Sequence, residues 1–162
     1  NTLYKLIFNI FFIFYISIFC LLFYVFSNSY NLKILIFSLL FSCIGSDIGG
    51  YVFGKLFKGP KLTKISPNKT ISGALGSLLF SCFFITSIFY FLVNKFNFEI
   101  LLIGLFTSVA CQLGDLIFSY LKRKAKLKDT GHFLPGHGGV LDRLDGILLG
   151  IPVGFFIILV LN

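Results

Sequence analysis

Tryptophan and methionine are absent from the 162-residue chain, and Asp and Glu together number only six. Charged residues make up 12% of the sequence while hydrophobic ones reach 57%. So little charge cannot coat a soluble domain of this size, and so much apolar side chain excludes disorder. Because position 1 is Asn rather than Met, the chain is expected to be a mature product or an excerpt of a longer protein. Cys20, Cys43, Cys82 and Cys111 lie in separate apolar runs without a CxxC pair, which excludes a secreted disulfide scaffold and predicts small buried hydrophobes. His132 and His137 have no third nitrogen or thiolate nearby, so zinc is excluded as well.

What the chain does have is phenylalanine, 23 of them, in five long apolar runs. Judged against the roughly 20 residues that cross the hydrocarbon, the predicted spans are 6–26, 32–48, 74–93, 100–121 and 147–161, of which the second and fifth are short. The first ends in Ser27, Asn28 and Ser29 with no small-residue cleavage pattern, so it reads as a membrane helix and not a signal peptide. Strands of a membrane barrel would alternate, and Ile7 to Phe14 does not. The expected fold class is therefore all-α: a polytopic helical membrane protein of about five transmembrane helices, forming one membrane domain.

The formal charge of +8 is concentrated in two of the links. Residues 49–73 carry Lys55, Lys58, Lys61, Lys64 and Lys69 without an acid, and residues 122–146 carry six basic residues against Asp129, Asp142 and Asp145. The positive-inside rule puts both loops, with Lys5, in the cytoplasm, and the excess charge points to anionic head groups or phosphate substrates before nucleic acid.

Polar residues at membrane depth are costly, and so they direct attention to a site. Gln112, Asp115, Ser119 and Lys122 follow at spacings of three, four and three, which puts them on one helical face. Asp115 is expected either to serve function or to be neutralised by a lysine. In DRLD, Asp142 and Asp145 share one side of a helical turn beside Arg143, after a Gly/Pro-rich turn, LPGHGG. Asp142 is expected either to favour a helix start or, with Asp145 and Asp115, to make an oxygen-rich site for Mg2+ and polyphosphate. Asp47 is another acid at a helix end, followed by Gly49 and Gly50, which permit close backbone approach. Ser66, Pro67, Asn68, Lys69 and Thr70 read as a phosphate clamp, although no Walker A spacing is present. His137, set between glycines, can donate to phosphate.

The stretch Ser119 to Asp145, SYLKRKAKLKDTGHFLPGHGGVLDRLD, closely resembles the signature of the phosphatidate cytidylyltransferases, or CDP-diglyceride synthases: a Ser, then KR, KD, PGHGG and DRxD in order. QLGD at Gln112 to Asp115 and the block from Ser46 to Gly73 are similar to that family too. The resemblance covers the chain from about residue 40 onward, and since family members are usually longer at the N-terminus, it implies a C-terminal part. It further implies a homodimeric, metal-dependent membrane enzyme of the cell inner membrane, its site facing the cytoplasm. On the matching positions it implies metal at Asp115, Asp142 and Asp145, catalysis by these acids with Lys122, Lys128 and Arg143, and substrate binding by Ser66, Lys69, Thr70, Ser119 and His137. Two departures stand out: Ile71 and Ser72 where many relatives have Trp and Glu, and Gly50 where Ala is common.

The implied reaction joins CTP and phosphatidic acid into CDP-diacylglycerol and pyrophosphate, with Mg2+ and a second cation, monovalent or divalent, at the site and no nucleic acid partner. Divalent metal and lysines would offset the repulsion between two phosphates before a phosphatidate oxygen attacks the α-phosphorus in line. Two alternatives stay open at this point, a CTP-dependent lipid kinase and a non-enzymatic membrane transporter. Convergence of Asp115, Asp142 and Asp145 near one cavity, with Lys69 at its rim, is what the transferase requires.

Overall fold

The structure, a computed structural model, describes residues 2–63, 66, 68–94, 96–127, 130–131 and 139–161. Among these residues run five helices: α1 (Thr2–Phe26), α2 (Tyr30–Phe57), α3 (Ile71–Val93), α4 (Phe98–Lys124) and α5 (Leu141–Leu161). All five are long and apolar enough to cross a bilayer. Helix is the form such sequences must take there, because a spanning segment has no water to satisfy its backbone and bonds to itself instead. The protein is an all-α, multi-pass membrane protein.

Two compact units divide the chain, Asn1–Ile36 and Phe37–Asn162. In the first, α1 closes with the Ser27 amide donating to the Phe23 carbonyl at 3.0 Å. Ser29 then starts α2, its hydroxyl accepting from the Leu32 amide at 3.3 Å. The large apolar side chains of α1, Phe11 and Phe14 among them, are exposed, as suits a surface solvated by lipid chains.

The second unit holds the site, and its helices are stitched by serines and seated on glycines. Ser38, Ser42 and Ser46 recur every four residues along α2 and are all buried. Ser81 gives its one proton to the Gly104 carbonyl at 2.9 Å, so in the 2.6 Å contact between Ser42 and Ser81 it is Ser42 that donates. Ser46 meets Ser108 at 2.8 Å. These bonds join α2 to α3, α3 to α4 and α2 to α4 where lipid offers no alternative partner.

Helix α2 runs past the expected end at Ile48 as far as Phe57, so the first half of the expected 49–73 loop is helical. The reason lies across the interface. A methyl group added at Gly49 would overlap the Gly76 carbonyl of α3, and one at Gly73 would lie 2.7 Å from the Gly50 oxygen. The close backbone approach expected of Gly49 and Gly50 thus takes place inside helices, a use that packing in the membrane favours over glycine's low helix propensity. The basic link after α4 also shortens: α4 reaches Lys124, and α5 already starts at Leu141, placing Asp142 and Asp145 on helix.

Gly49→Leu should therefore destabilise the protein by about 3 kcal/mol, since backbone cannot move aside for the new side chain. Leu79→Ala, on the exposed face of α3, should change stability by less than about 1 kcal/mol. Thermal unfolding in detergent measures both, and a wild-type midpoint for Gly49→Leu would mean that α2 and α3 do not meet there.

Candidate functional site

The chain between α2 and α3 folds as a small hairpin that carries Lys69 inward. Lys58 turns the chain out of α2 with φ 42, the left-handed conformation that stops a helix. Lys61 and Thr70 then form an antiparallel bridge, with the Leu62 amide donating to the Lys69 carbonyl at 2.7 Å and the Ile71 amide to the Pro60 carbonyl at 2.9 Å. Thr70 caps α3, its hydroxyl accepting from the Gly73 amide at 3.1 Å. Ser72 accepts from the Gly59 amide at 3.3 Å and bonds Thr70 at 3.1 Å. Ser72 therefore uses its short hydroxyl to close the hairpin.

Helices α4 and α5 bring the acids. Gly114 and Gly146 set their approach: a methyl group at Gly114 would lie 2.7 Å from the Asp145 carbonyl oxygen, and one at Gly146 would lie 2.7 Å from Asp115 Oδ1. The Asp115 and Asp145 carboxyl groups consequently come within reach of a direct side-chain contact. Lys69 Nζ, from the hairpin, donates to Asp115 Oδ2 at 2.7 Å. Lys122, in the last turn of α4, donates to Asp142 Oδ1 at 2.8 Å and stands 3.7 Å from Asp145 Oδ2. Its charge also suits the carbonyl end of α4, just as Asp142 suits the amide end of α5.

Asp142 does more than start a helix. Its Oδ2 accepts from the Thr130 amide at 2.8 Å, the Thr130 hydroxyl at 3.0 Å and the Gly139 amide at 2.9 Å. Four donors thus converge on one carboxylate whose side chain is only 9% exposed, and they pin the α4–α5 link to α5 at Thr130 and Gly139.

Two cavities adjoin this cluster and share Asp47, Lys69 and Asp115. One, of about 270 Å³, adds to these the hydroxyl- and amide-bearing Ser66, Asn68, Thr70 and Gln112 beside apolar residues such as Leu62 and Ala74. The other, of about 290 Å³, is lined by Asp47, Lys69, Asp115, Ser119, Asp142, Arg143 and Asp145. The three acids of α4 and α5 therefore meet at one cavity with Lys69 beside them. Asp115 is neutralised by a lysine, as one of the two expectations has it, and it also lines a cavity. Lys122 pairs with the acids from behind, Gln112 donates to the Ala74 carbonyl at 3.3 Å, and Thr70 is occupied as a cap. Lys128 and His137, with Pro67 and His132, lie outside the described residues.

Asp47, which sequence reasoning placed at a helix end and left out of the site, lies instead within α2, which continues to Phe57. Its signal was the same as that of Asp115, an acid closing an apolar run, yet only the packing of α2 on α3 and α4 brings it to both cavities. Among the described residues, no three His, Cys, Asp or Glu side chains form a ready-made metal cluster. The donor set still fits a hard cation: four carboxylates face Lys69 and Arg143 in the second cavity, and every acidic donor is oxygen.

Acids on apolar, membrane-length helices, ion-paired beside a cavity, mark this as a helical membrane protein with a polar site. The chain belongs to the cytidylyltransferase family, which matches residues 1–161. It is 42% identical over 114 residues to the phosphatidate cytidylyltransferase of Mycobacterium leprae, covering 70% of this chain and 36% of that protein. It is 42% identical over 131 residues to that of Rickettsia felis, covering 74% and 57%. With that of Staphylococcus aureus the figures are 44% over 110 residues, 67% and 42%. The chain thus spans between 36% and 57% of the length of these relatives.

Asp142→Asn should speed hydrogen exchange at the Thr130 and Gly139 amides by about tenfold or more, because charge-assisted bonds become weaker neutral ones. Exchange in the middle of α3 should not change. Unaltered protection at both amides would show that Asp142 does not hold the link.

Proposed function

We propose that this protein transfers a cytidylyl group from CTP to phosphatidic acid, forming CDP-diacylglycerol and pyrophosphate. The observation that carries the reading is the meeting of Asp115, Asp142 and Asp145 with Lys69 at one cavity, on the motifs shared with the family. A phosphatidate oxygen attacks the α-phosphorus of CTP, the bond to the β-phosphate oxygen breaks, and pyrophosphate leaves with the electron pair. Lys69 and Arg143, both lining the cavity, hold phosphate oxygens and offset the repulsion between the two anionic substrates. Ser66 and Ser119 offer hydroxyl donors from the hairpin and from α4.

Asp115 and Asp145, which face each other, are the residues proposed to hold Mg2+, with Asp47 beside them. Mg2+, when bound, supplies charge neutralisation for the triphosphate and for the departing pyrophosphate. Asp142 belongs to the same acidic set and acts through Lys122, which it orients, and through the link it pins. No side chain needs to take a proton from the attacking phosphate, which is already ionised near neutrality. Lys128 and His137 are proposed as further phosphate contacts on the strength of the shared motif.

Placement follows from the substrates. Acyl chains stay in lipid while the head group meets water-borne CTP at the basic face, which carries Lys55, Lys58 and Lys61 beside α2 and Lys122, Arg123, Lys124 and Lys126 beside α4. On the positive-inside rule that face is cytoplasmic, in the inner membrane. A homodimer belongs to the proposal through the resemblance alone.

Labelled CTP, phosphatidic acid and Mg2+ should yield CDP-diacylglycerol and pyrophosphate, and Asp115→Asn should lower turnover by about a hundredfold or more. Release of CDP with a newly phosphorylated lipid would make the protein a kinase. Undiminished turnover in folded Asp115→Asn would remove Asp115 from the site.

A further inference from the structure

Lys69 is placed as more than a phosphate-holding lysine. Its Nζ is 2.7 Å from Asp115 Oδ2, and its side chain lines both cavities. In the second cavity Asp47, Asp115, Asp142 and Asp145 stand together, and carboxylates so grouped demand a cation. Lys122 answers Asp142 and Asp145 from the rigid last turn of α4, with a side chain 16% exposed. Lys69 answers Asp115 from a hairpin instead, and 28% of its side chain is exposed, so the ammonium has an open route away from the acid. In the first cavity, of about 270 Å³, Lys69 stands with the uncharged Ser66 and Asn68 as well as with Asp47 and Asp115, and the cavity leaves it room to turn there.

We propose that Lys69 is a resident counter-ion. Its ammonium fills the cation position at Asp115 while the site is empty, then yields that position to a divalent cation and turns to the phosphates of the incoming nucleotide. This rests on the proposed cytidylyltransferase reading and adds a coupling to it: Lys69 competes with the cation when no phosphate is present, and ceases to compete when a phosphate takes the ammonium. Cation and nucleotide therefore favour each other's binding through one side chain, and the coupling is reciprocal. A lysine that only held phosphate, clear of Asp115, would weaken cation binding to the nucleotide-free protein far less.

The test is Mn2+ binding to the nucleotide-free protein in lipid nanodiscs, read by the loss of the free-ion electron paramagnetic resonance signal. Lys69→Met should bind Mn2+ about tenfold more tightly than the wild type, because a competing positive charge is gone. Lys69→Arg should stay near the wild type, and Asp115→Asn should bind more weakly. If Lys69→Met does not fold, Lys69→Gln removes the same charge and is read in its place. Unchanged or weaker Mn2+ binding on removal of the charge overturns the counter-ion role, while weakened binding in Asp115→Asn leaves the metal site standing. Absence of Mn2+ binding by the folded wild type defeats the metal reading and the counter-ion role with it.

Discussion

Carboxylates borne by long apolar helices must be neutralised where they stand, and the arrangement of this protein's second unit answers that demand. Asp115 meets Lys69 at 2.7 Å and Asp142 meets Lys122 at 2.8 Å, so the two ion pairs tie the hairpin to α4 and α4 to α5. The Lys69–Asp115 pair is partly exposed, which lowers its desolvation cost and leaves Asp115 accessible, whereas Asp142 is largely covered and held by four donors.

The pairs form only because the helices come close. Glycines at 49 and 76 let α2 touch α3, and glycines at 114 and 146 let α4 touch α5 beside the acids. Buried serines then fix the depth at which α2, α3 and α4 cross. Packing of this kind needs small residues rather than apolar bulk, since lipid tails are as apolar as any leucine and provide no drive for helices to associate. One exception to full satisfaction is the Thr107 hydroxyl, buried and without a partner among the described residues.

The two cavities differ in character although they share three residues. In one, hydroxyl- and amide-bearing residues stand beside the three shared charges, while in the other every lining residue but Ser119 is charged. Ser72 contributes to both from outside, because it closes the hairpin that carries Lys69.

By itself the sequence determined the five spans, since runs of apolar residues in lipid have helix as their only satisfied backbone form. It also determined which acids share a helical face, because a period of 3.6 residues is local, and Gln112, Asp115, Ser119 and Lys122 needed no neighbours to be aligned. The tertiary structure alone decided that Lys69 pairs with Asp115 across 46 positions of sequence. It alone decided that Asp47 joins the cavity, that Gly49 to Phe57 is helix rather than loop, and that the Asp142 oxygens accept from Lys122, Thr130 and Gly139. Each of these depends on the distance between two helices, which small side chains set through contact with a partner far along the chain, and no local pattern records that distance.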